Sequence, residues 1–167
     1  MVPDSLEHEL ERESYRMFEL LKMLEDEAIM QSTEYGVEVF EDGYRFMEFD
    51  YDNNSWRAIE GHRLYKPHQL AEGLFMILDS QAVDLKIASP YIADDSDSDF
   101  EMSEMSSGGI NDIEDEEKAN APSIWVLSSG ELTEFKIEIF KQDQQDQPFV
   151  ISGYETGELE IKTPYDE

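Results

Sequence analysis

The chain contains no cysteine, and this absence excludes disulfide bonds, thiolate catalysis and cysteine-ligated metal sites. Basic residues are also few, since 12 lysines and arginines stand against 41 aspartates and glutamates, which gives a net charge of −29. Because binding to a phosphate backbone depends mainly on lysine and arginine, this balance argues against nucleic acid as a partner. Anionic membrane surfaces would repel the chain as well. Charged partners are therefore expected to present basic patches or cations.

Long apolar runs are missing too. No stretch reaches the about 18 apolar residues of a membrane span, and no signal peptide is visible. The chain opens Met-Val-Pro-Asp and passes straight into a helical pattern, so we expect it to be a soluble piece cut from a longer protein. Its 167 residues are enough for a sizeable core, and we predict a single domain over residues 1–167.

One long amphipathic helix is predicted from residue 5 to residue 32. Its apolar residues recur at gaps of three, four and seven, which places them on one stripe. At about 1.5 Å per residue this helix would be roughly 40 Å long. The stripe consists of Leu6, Leu10, Met17, Leu21, Leu24 and Ala28. Because Leu6 and Leu10 stand among glutamates, the first turns are expected to project from a head that covers the second half.

A β-rich head is predicted over residues 35–161. Alternating runs on either side of Glu41-Asp42-Gly43 indicate a β-hairpin. We expect residues 63–73 to be a connection, residues 74–78 a buried strand and residues 142–147 a polar loop. The other predicted strands lie around residues 56–59, 83–87, 123–127, 135–140, 149–152 and 158–161. Together with the helix, these eight to ten antiparallel strands give an α+β fold.

The segment from about residue 93 to residue 120 differs from the rest. It is rich in aspartate, glutamate, serine and glycine and has a single basic residue, Lys118. Low hydrophobicity with dense like charge cannot offset the entropy of ordering a chain. We therefore predict a flexible acidic insertion, which either offers a surface to a basic partner or serves to keep the protein in solution.

Residues that could bind a metal form no standard motif. His62 and His68 are six positions apart on the predicted connection, and an HExxH spacing is absent. Asp95, Asp97 and Asp99 copy the start of an EF-hand loop, but the glycine and glutamate required later in that loop are missing. Residues 50–61 fail the same two tests. We predict no metal site and no cofactor.

Catalytic motifs are missing as well. Ser128-Ser129-Gly130 lacks the G-x-S-x-G frame of a serine nucleophile, and a turn is the better interpretation. No phosphate-binding or dinucleotide-binding glycine pattern occurs. We therefore predict no catalytic residue, and we expect the protein not to be an enzyme.

Several blocks, in the right order, resemble the H-type minor pseudopilins of the bacterial type II (general) secretion system, which are relatives of type IV pilins. The most specific block is IWVLSSGELT at residues 124–133, with Phe135 after it. The others are residues 24–29, 34–36, 42–46, 56, 70–74, 151–153 and 157–161. Glu134 departs from the family, which often has proline there. The family's leader ending in glycine and its apolar segment of about twenty residues are also missing.

The resemblance implies a structural role and a pilin-like fold. Such a protein is anchored in the inner membrane by an apolar half-helix that we expect to precede Pro3, and its head lies in the periplasm. It assembles with major and minor pseudopilins, and with the inner-membrane machinery, into a filament that helps export folded proteins. Within that filament, Leu6 and Leu10 are expected to contact neighbouring helices.

Two other classes remain open at the level of sequence. The first is a free-standing β-rich module that binds a peptide or calcium in a groove and needs no membrane segment. The second is a hydrolase with a carboxylate pair, which would require buried acids with a raised pKa. No spacing in the sequence points to such a pair.

Overall fold

The computed structural model describes residues 2–80 and 121–165. Helix α1 spans Val2–Gln31 and contains no internal glycine. It ends where Ser32 adopts a left-handed φ of 52°, and the N–H of Thr33 then donates to the carbonyl of Ala28 at 3.1 Å, which caps the last turn. In the described part of the chain, no helix is both long and apolar enough to cross a membrane.

Nine strands follow the helix in the described residues, and all of them pair antiparallel. They are β1 (Tyr35–Phe40), β2 (Gly43–Asp50), β3 (Ser55–Ala58), β4 (His68–Gln69), β5 (Leu74–Ser80), β6 (Ile124–Val126), β7 (Phe135–Lys141), β8 (Gln144–Gly153) and β9 (Leu159–Lys162). They form a five-stranded sheet in the order β3-β2-β1-β6, with β4 also on β2, and a four-stranded sheet in the order β5-β7-β8-β9. The predicted α+β fold, a long helix on antiparallel sheets, is confirmed.

The core lies between the helix and the two sheets. The helix contacts β6, β7, β8 and β9. Its buried stripe has gaps of four and three residues, which keep one side turned to the sheets over five turns. The buried positions on this stripe are Leu10, Ser14, Met17, Leu21, Leu24 and Ala28. Full burial of a leucine or methionine stabilises by about 1.5–3 kcal/mol, so the stripe holds the helix firmly on the head.

The expectation that the first turns of the helix project from the head was wrong. Leu10 is only 1% exposed and belongs to the core, and Leu6 packs against that core beside Gly73. The Nζ of Lys141, at the end of β7, also lies 2.6 Å from the carboxylate of Glu7. The reason is geometric, because the β4–β5 turn and the end of β7 reach the first turns.

Three local expectations in the head are corrected. Residues 142–147 are not a loop, because β8 begins at Gln144 and the connection to Lys141 has only two residues. Strand β4 lies inside the predicted connection 63–73. Residues 74–78 are not a continuously buried strand, since Ile77 is 54% exposed on the outer side of β5. The predicted strand 83–87 and the acidic insertion 93–120 lie outside the described residues.

Candidate partner-binding surface of the helix and head

The outward side of the helix carries exposed apolar side chains. Met23 is 39% exposed and Met30 is 74% exposed, and their spacing of seven residues places them on the same side, two turns apart. Ile29 is also exposed, but it points about 100° away from Met30, and its Cδ1 lies near Gly130 of the head. Methionine adapts its shape easily to a contacting surface, and apolar side chains grouped on a surface commonly mark protein contacts. This outward apolar face, defined by Met23 and Met30, is a candidate surface for a partner.

The predicted partner-binding residues, Leu6 and Leu10, lie on the opposite, head-facing stripe. Leu10 is fully enclosed by the core, and Leu6 keeps part of its surface in solvent. Contact of these two residues with neighbouring helices stays a prediction. In this conformation only Leu6 has surface to offer.

Polar contacts at two glutamates fasten the first half of the helix to the head. Glu13 is 7% exposed, and its Oε1 lies 2.7 Å from Nε2 of His68 on β4. Glu7 accepts hydrogen bonds from Lys141 and from the hydroxyl of Tyr165. The bond from Lys141, followed by that from Tyr165, holds the pKa of Glu7 below its usual value. These contacts fix which side of the helix meets the sheets.

The block 124–133 builds a turn that closes the edge of β6. The N–H of Gly130 donates to the carbonyl of Leu127 at 2.9 Å, and Gly130 has a φ of +97°, which favours glycine. Thr133 is fully buried, and its Oγ1 accepts from the N–H of Trp125 at 2.9 Å. The hydroxyl of Ser128 lies 3.3 Å from Glu34, the residue before β1. The serines of this block therefore support a turn, as predicted.

The end of the helix meets this turn at two glycines. Gly157, in the β8–β9 turn, has a φ of +100°. A Cβ on Gly157 would clash with the carbonyl oxygen of Gly130 and lie 2.9 Å from Oε2 of Glu25. Burial at this contact raises the pKa of Glu25 to about 7, and the neighbouring charge of Asp26 adds to the rise.

The raised pKa of Glu25 bears on the hydrolase alternative. Its nearest acidic neighbour in sequence is Asp26, and consecutive helical residues point about 100° apart. The two carboxylates therefore do not face a common substrate. Burial against the backbone of two turns accounts for the pKa without a catalytic role.

The residues considered as metal ligands have other partners. His68 contacts Glu13, and the ring of His62 packs on Tyr65 with centroids 4.4 Å apart. Asp50 accepts from the N–H of Asp52 and from the side chain of Asn53, so it caps a turn. The structure groups no three histidine, aspartate or glutamate side chains into a possible metal site within residues 2–80 and 121–165. Asp95, Asp97 and Asp99 lie outside that part.

Two known proteins are similar in sequence to this chain over most of its length. No family model matches the chain. The chain is 25% identical over 161 residues to type II secretion system protein H of Pseudomonas aeruginosa PAO1, with 94% of this chain and 79% of the relative covered. The same protein of Vibrio cholerae is 25% identical over 165 residues, with 97% and 81% covered. The resemblance to the H-type minor pseudopilins is confirmed.

Solved structures support the same fold. The minor pseudopilin EpsH of Vibrio cholerae superposes with a TM-score of 0.68 at 20% identity, covering 97% of this chain and 99% of that one. The type IV minor pilin FimU of Pseudomonas aeruginosa gives a TM-score of 0.53 at 12% identity, with 98% and 96% covered. The predicted pilin-like fold is thus confirmed.

In this pseudopilin-like chain, sequence reasoning missed Glu13, Glu25 and the outward apolar face. The seven-residue gap between Leu10 and Met17 indicated a buried side chain at position 13 or 14, and the structure buries both Glu13 and Ser14 there. Nothing local marks Glu25, since its burial depends on Gly130 and Gly157.

Proposed function

We propose that the protein is a non-enzymatic subunit of the periplasmic pseudopilus of type II secretion. In the cell, an apolar half-helix ahead of residue 3 would anchor it in the inner membrane, and the head described above would lie in the periplasm. The observation that carries this proposal is the similarity to two secretion proteins of the H type over 94% and 97% of the chain. The firm attachment of the helix to both sheets supports it, because a filament subunit must keep its helix and head in one fixed arrangement.

The partner surface of this subunit is the outward apolar face of the helix. Met23 and Met30 expose apolar area on the side opposite the core. Burying such area against another subunit contributes about 25 cal/mol per Å² before the costs of association. Leu6 lies on the head-facing side, so its exposed part would make a separate contact close to the preceding half-helix.

Replacing Met30 with Asp tests the partner surface. The side chain lies mostly in solvent, so we expect only a small fall in melting temperature, from the negative charge near the helix C-terminus. In the full-length protein, the substitution should reduce both crosslinking to other pseudopilins and secretion several-fold. Ile77→Asp is the matched control, since Ile77 is a similarly exposed apolar residue on β5. Normal secretion with Met30→Asp, or an equal loss with Ile77→Asp, would contradict the proposed surface.

The sequence upstream of Pro3 in the natural gene tests the membrane anchor separately. A leader ending in glycine, followed by about twenty apolar residues, is the expected result. A reading frame with an ordinary cleavable signal would remove the anchor from the mechanism. The free-standing binding module would then account better for the same fold.

A further inference from the structure

The loop between β3 and β4, residues 59–67, is basic on a protein that is otherwise strongly acidic. It exposes Arg63 and Lys66, and its one acidic residue is Glu60. The loop borders a groove of about 600 Å³ that runs from Ala58 to Pro67. We call residues 59–67 the basic loop.

The two cations of the basic loop form no ion pair with any described residue. By contrast, Arg45 pairs with Glu38, Arg57 with Glu48, and Lys141 with Glu7. In a chain with 41 acidic residues, an exposed guanidinium has many possible intramolecular partners. Arg63 and Lys66 instead present their full hydrogen-bonding capacity to solvent, where a second molecule can reach it.

The backbone under these cations is held in place. Tyr65, between them, is 2% exposed, and its ring packs on Phe46 with centroids 5.1 Å apart. At the start of the loop, the N–H of Ile59 donates to the carbonyl of Phe46 at 3.1 Å. At its end, His68 contacts Glu13. A loop anchored at both ends and in the middle loses little entropy on binding a partner.

The basic loop also lies beside the helix that forms the proposed partner surface. Its anchor at His68 meets the helix at Glu13. Its central anchor, Tyr65, lies close enough to the turn of Asp26 and Glu27 for their charges to add to the effect of burial on its pKa. The end of the loop is thus joined to the helix through His68, and Tyr65 shares the buried core with the helix stripe.

We propose that the basic loop docks a carboxylate-bearing surface of a neighbouring pilin-like subunit, an inference that rests on the proposed function. The guanidinium of Arg63 suits a carboxylate because it can donate two parallel hydrogen bonds. At physiological salt, charges act over about 8 Å, so this local attraction operates even between two acidic subunits. Its main effect is on orientation, since the attraction acts at the basic loop, whereas most of the surface of this chain is acidic.

The test uses the Arg63→Glu/Lys66→Glu double variant and the purified heads of the major and other minor pseudopilins of the same secretion system. The matched control is Lys136→Glu/Lys162→Glu, which makes the same charge change at two exposed lysines of the four-stranded sheet. Binding is measured at 50 and 300 mM salt, with melting temperatures to verify folding. We expect the loop variant to bind about tenfold more slowly at 50 mM, with a smaller difference at 300 mM. The control should match the wild type.

Each other outcome is decisive. Equal losses for the two double variants would overturn the proposal, because total charge would then explain them. Unchanged binding by the loop variant would also overturn it while leaving the proposed function in place. Failure of the wild type to bind any pseudopilin head would refute the proposed function itself. Binding of the wild type to phosphatidylglycerol vesicles, lost only in the loop variant while pseudopilin binding is kept, would assign the loop to lipid instead.

Discussion

The Nε2 of His68 lies 2.7 Å from the Oε1 of Glu13, and this contact joins β4 to the helix across 55 positions of the chain. Glu13 is almost fully buried, so it depends on His68 for a polar partner. Removing the imidazole leaves a buried carboxylate without that partner, which costs about 1–3 kcal/mol.

His68→Ala should therefore lower the free energy of unfolding by about 1–3 kcal/mol, as measured by urea denaturation. His62→Ala is the control, since His62 is an exposed histidine on the loop just before β4. A double-mutant cycle with Glu13→Gln should show coupling between the two sites. If the effects of the two substitutions simply added, the contact between His68 and Glu13 would contribute no stability of its own.

Substitution of Leu24 tests how much the buried helix stripe contributes to the stability of the fold. Its side chain is fully buried, so Leu24→Ala should destabilise by about 2–5 kcal/mol through lost burial and the cavity left behind. The adjacent Met23→Ala is the control, because Met23 faces outward and should cost much less. If the two variants had the same denaturation midpoint, the stripe would be wrongly placed.

Glu25 should make stability depend on pH. Its pKa is raised from 4.5 to about 7 in the folded protein, so the folded state binds the proton more tightly than the unfolded state. The contribution of Glu25 is therefore most favourable at low pH, and it is lost as the pH rises from about 4.5 to about 7. Glu25→Gln removes the titration.

We accordingly expect Glu25→Gln to be more stable than the wild type at pH 8, and this advantage should shrink toward pH 4. Comparing the two proteins at each pH cancels the effects of the other acids. Glu19→Gln, at an exposed helical position, serves as the control. A constant difference between Glu25→Gln and the wild type across pH 4–8 would show that Glu25 does not titrate in this range.

Alanine substitutions at two glycines with a left-handed backbone distinguish the cost of backbone strain from the cost of a steric clash. Gly61 has a φ of +76° and open space around its missing Cβ, whereas Gly157 has a φ of +100° and the carbonyl of Gly130 against it. Gly61→Ala should cost about 1–2 kcal/mol from backbone strain alone. Gly157→Ala should cost clearly more in thermal or urea unfolding. Equal costs would mean that the turns around Gly130 and Gly157 move apart easily.

Much of the fold could be predicted from local patterns. The stripe from Met17 to Ala28 and the alternation around Asp42-Gly43 follow directly from burial on one side of a helix or strand. The expectation for residues 142–147 was wrong because Gln144–Gln147 are exposed on both sides and carry no alternation. They belong to β8 because that strand continues through a register shift to the pairing of Gln144 with Lys141. Strand β4 has two residues, too few for any pattern.

The partner surface was harder to predict for the same reason. Leu6 and Leu10 look isolated in the sequence because the residues that cover them, near Gly73 and Lys141, lie far along the chain. Met23 and Met30 look like core residues by type, and only the orientation of the helix on the sheets shows that they face outward. The block 124–133 could be assigned to a family, but its role as a link between Glu34 and the turn at Gly157 requires the tertiary structure.

The attachment of the first helix to the last strands also governs how the chain can fold. Lys141 and Tyr165 reach Glu7 across 134 and 158 positions, and the helix packs on β7, β8 and β9. During synthesis the apolar stripe of the helix is therefore complete long before the strands that cover it exist. Such long-range contacts slow folding and leave apolar surface open to aggregation in the meantime. We therefore expect the nascent chain to depend on a chaperone until β9 has emerged.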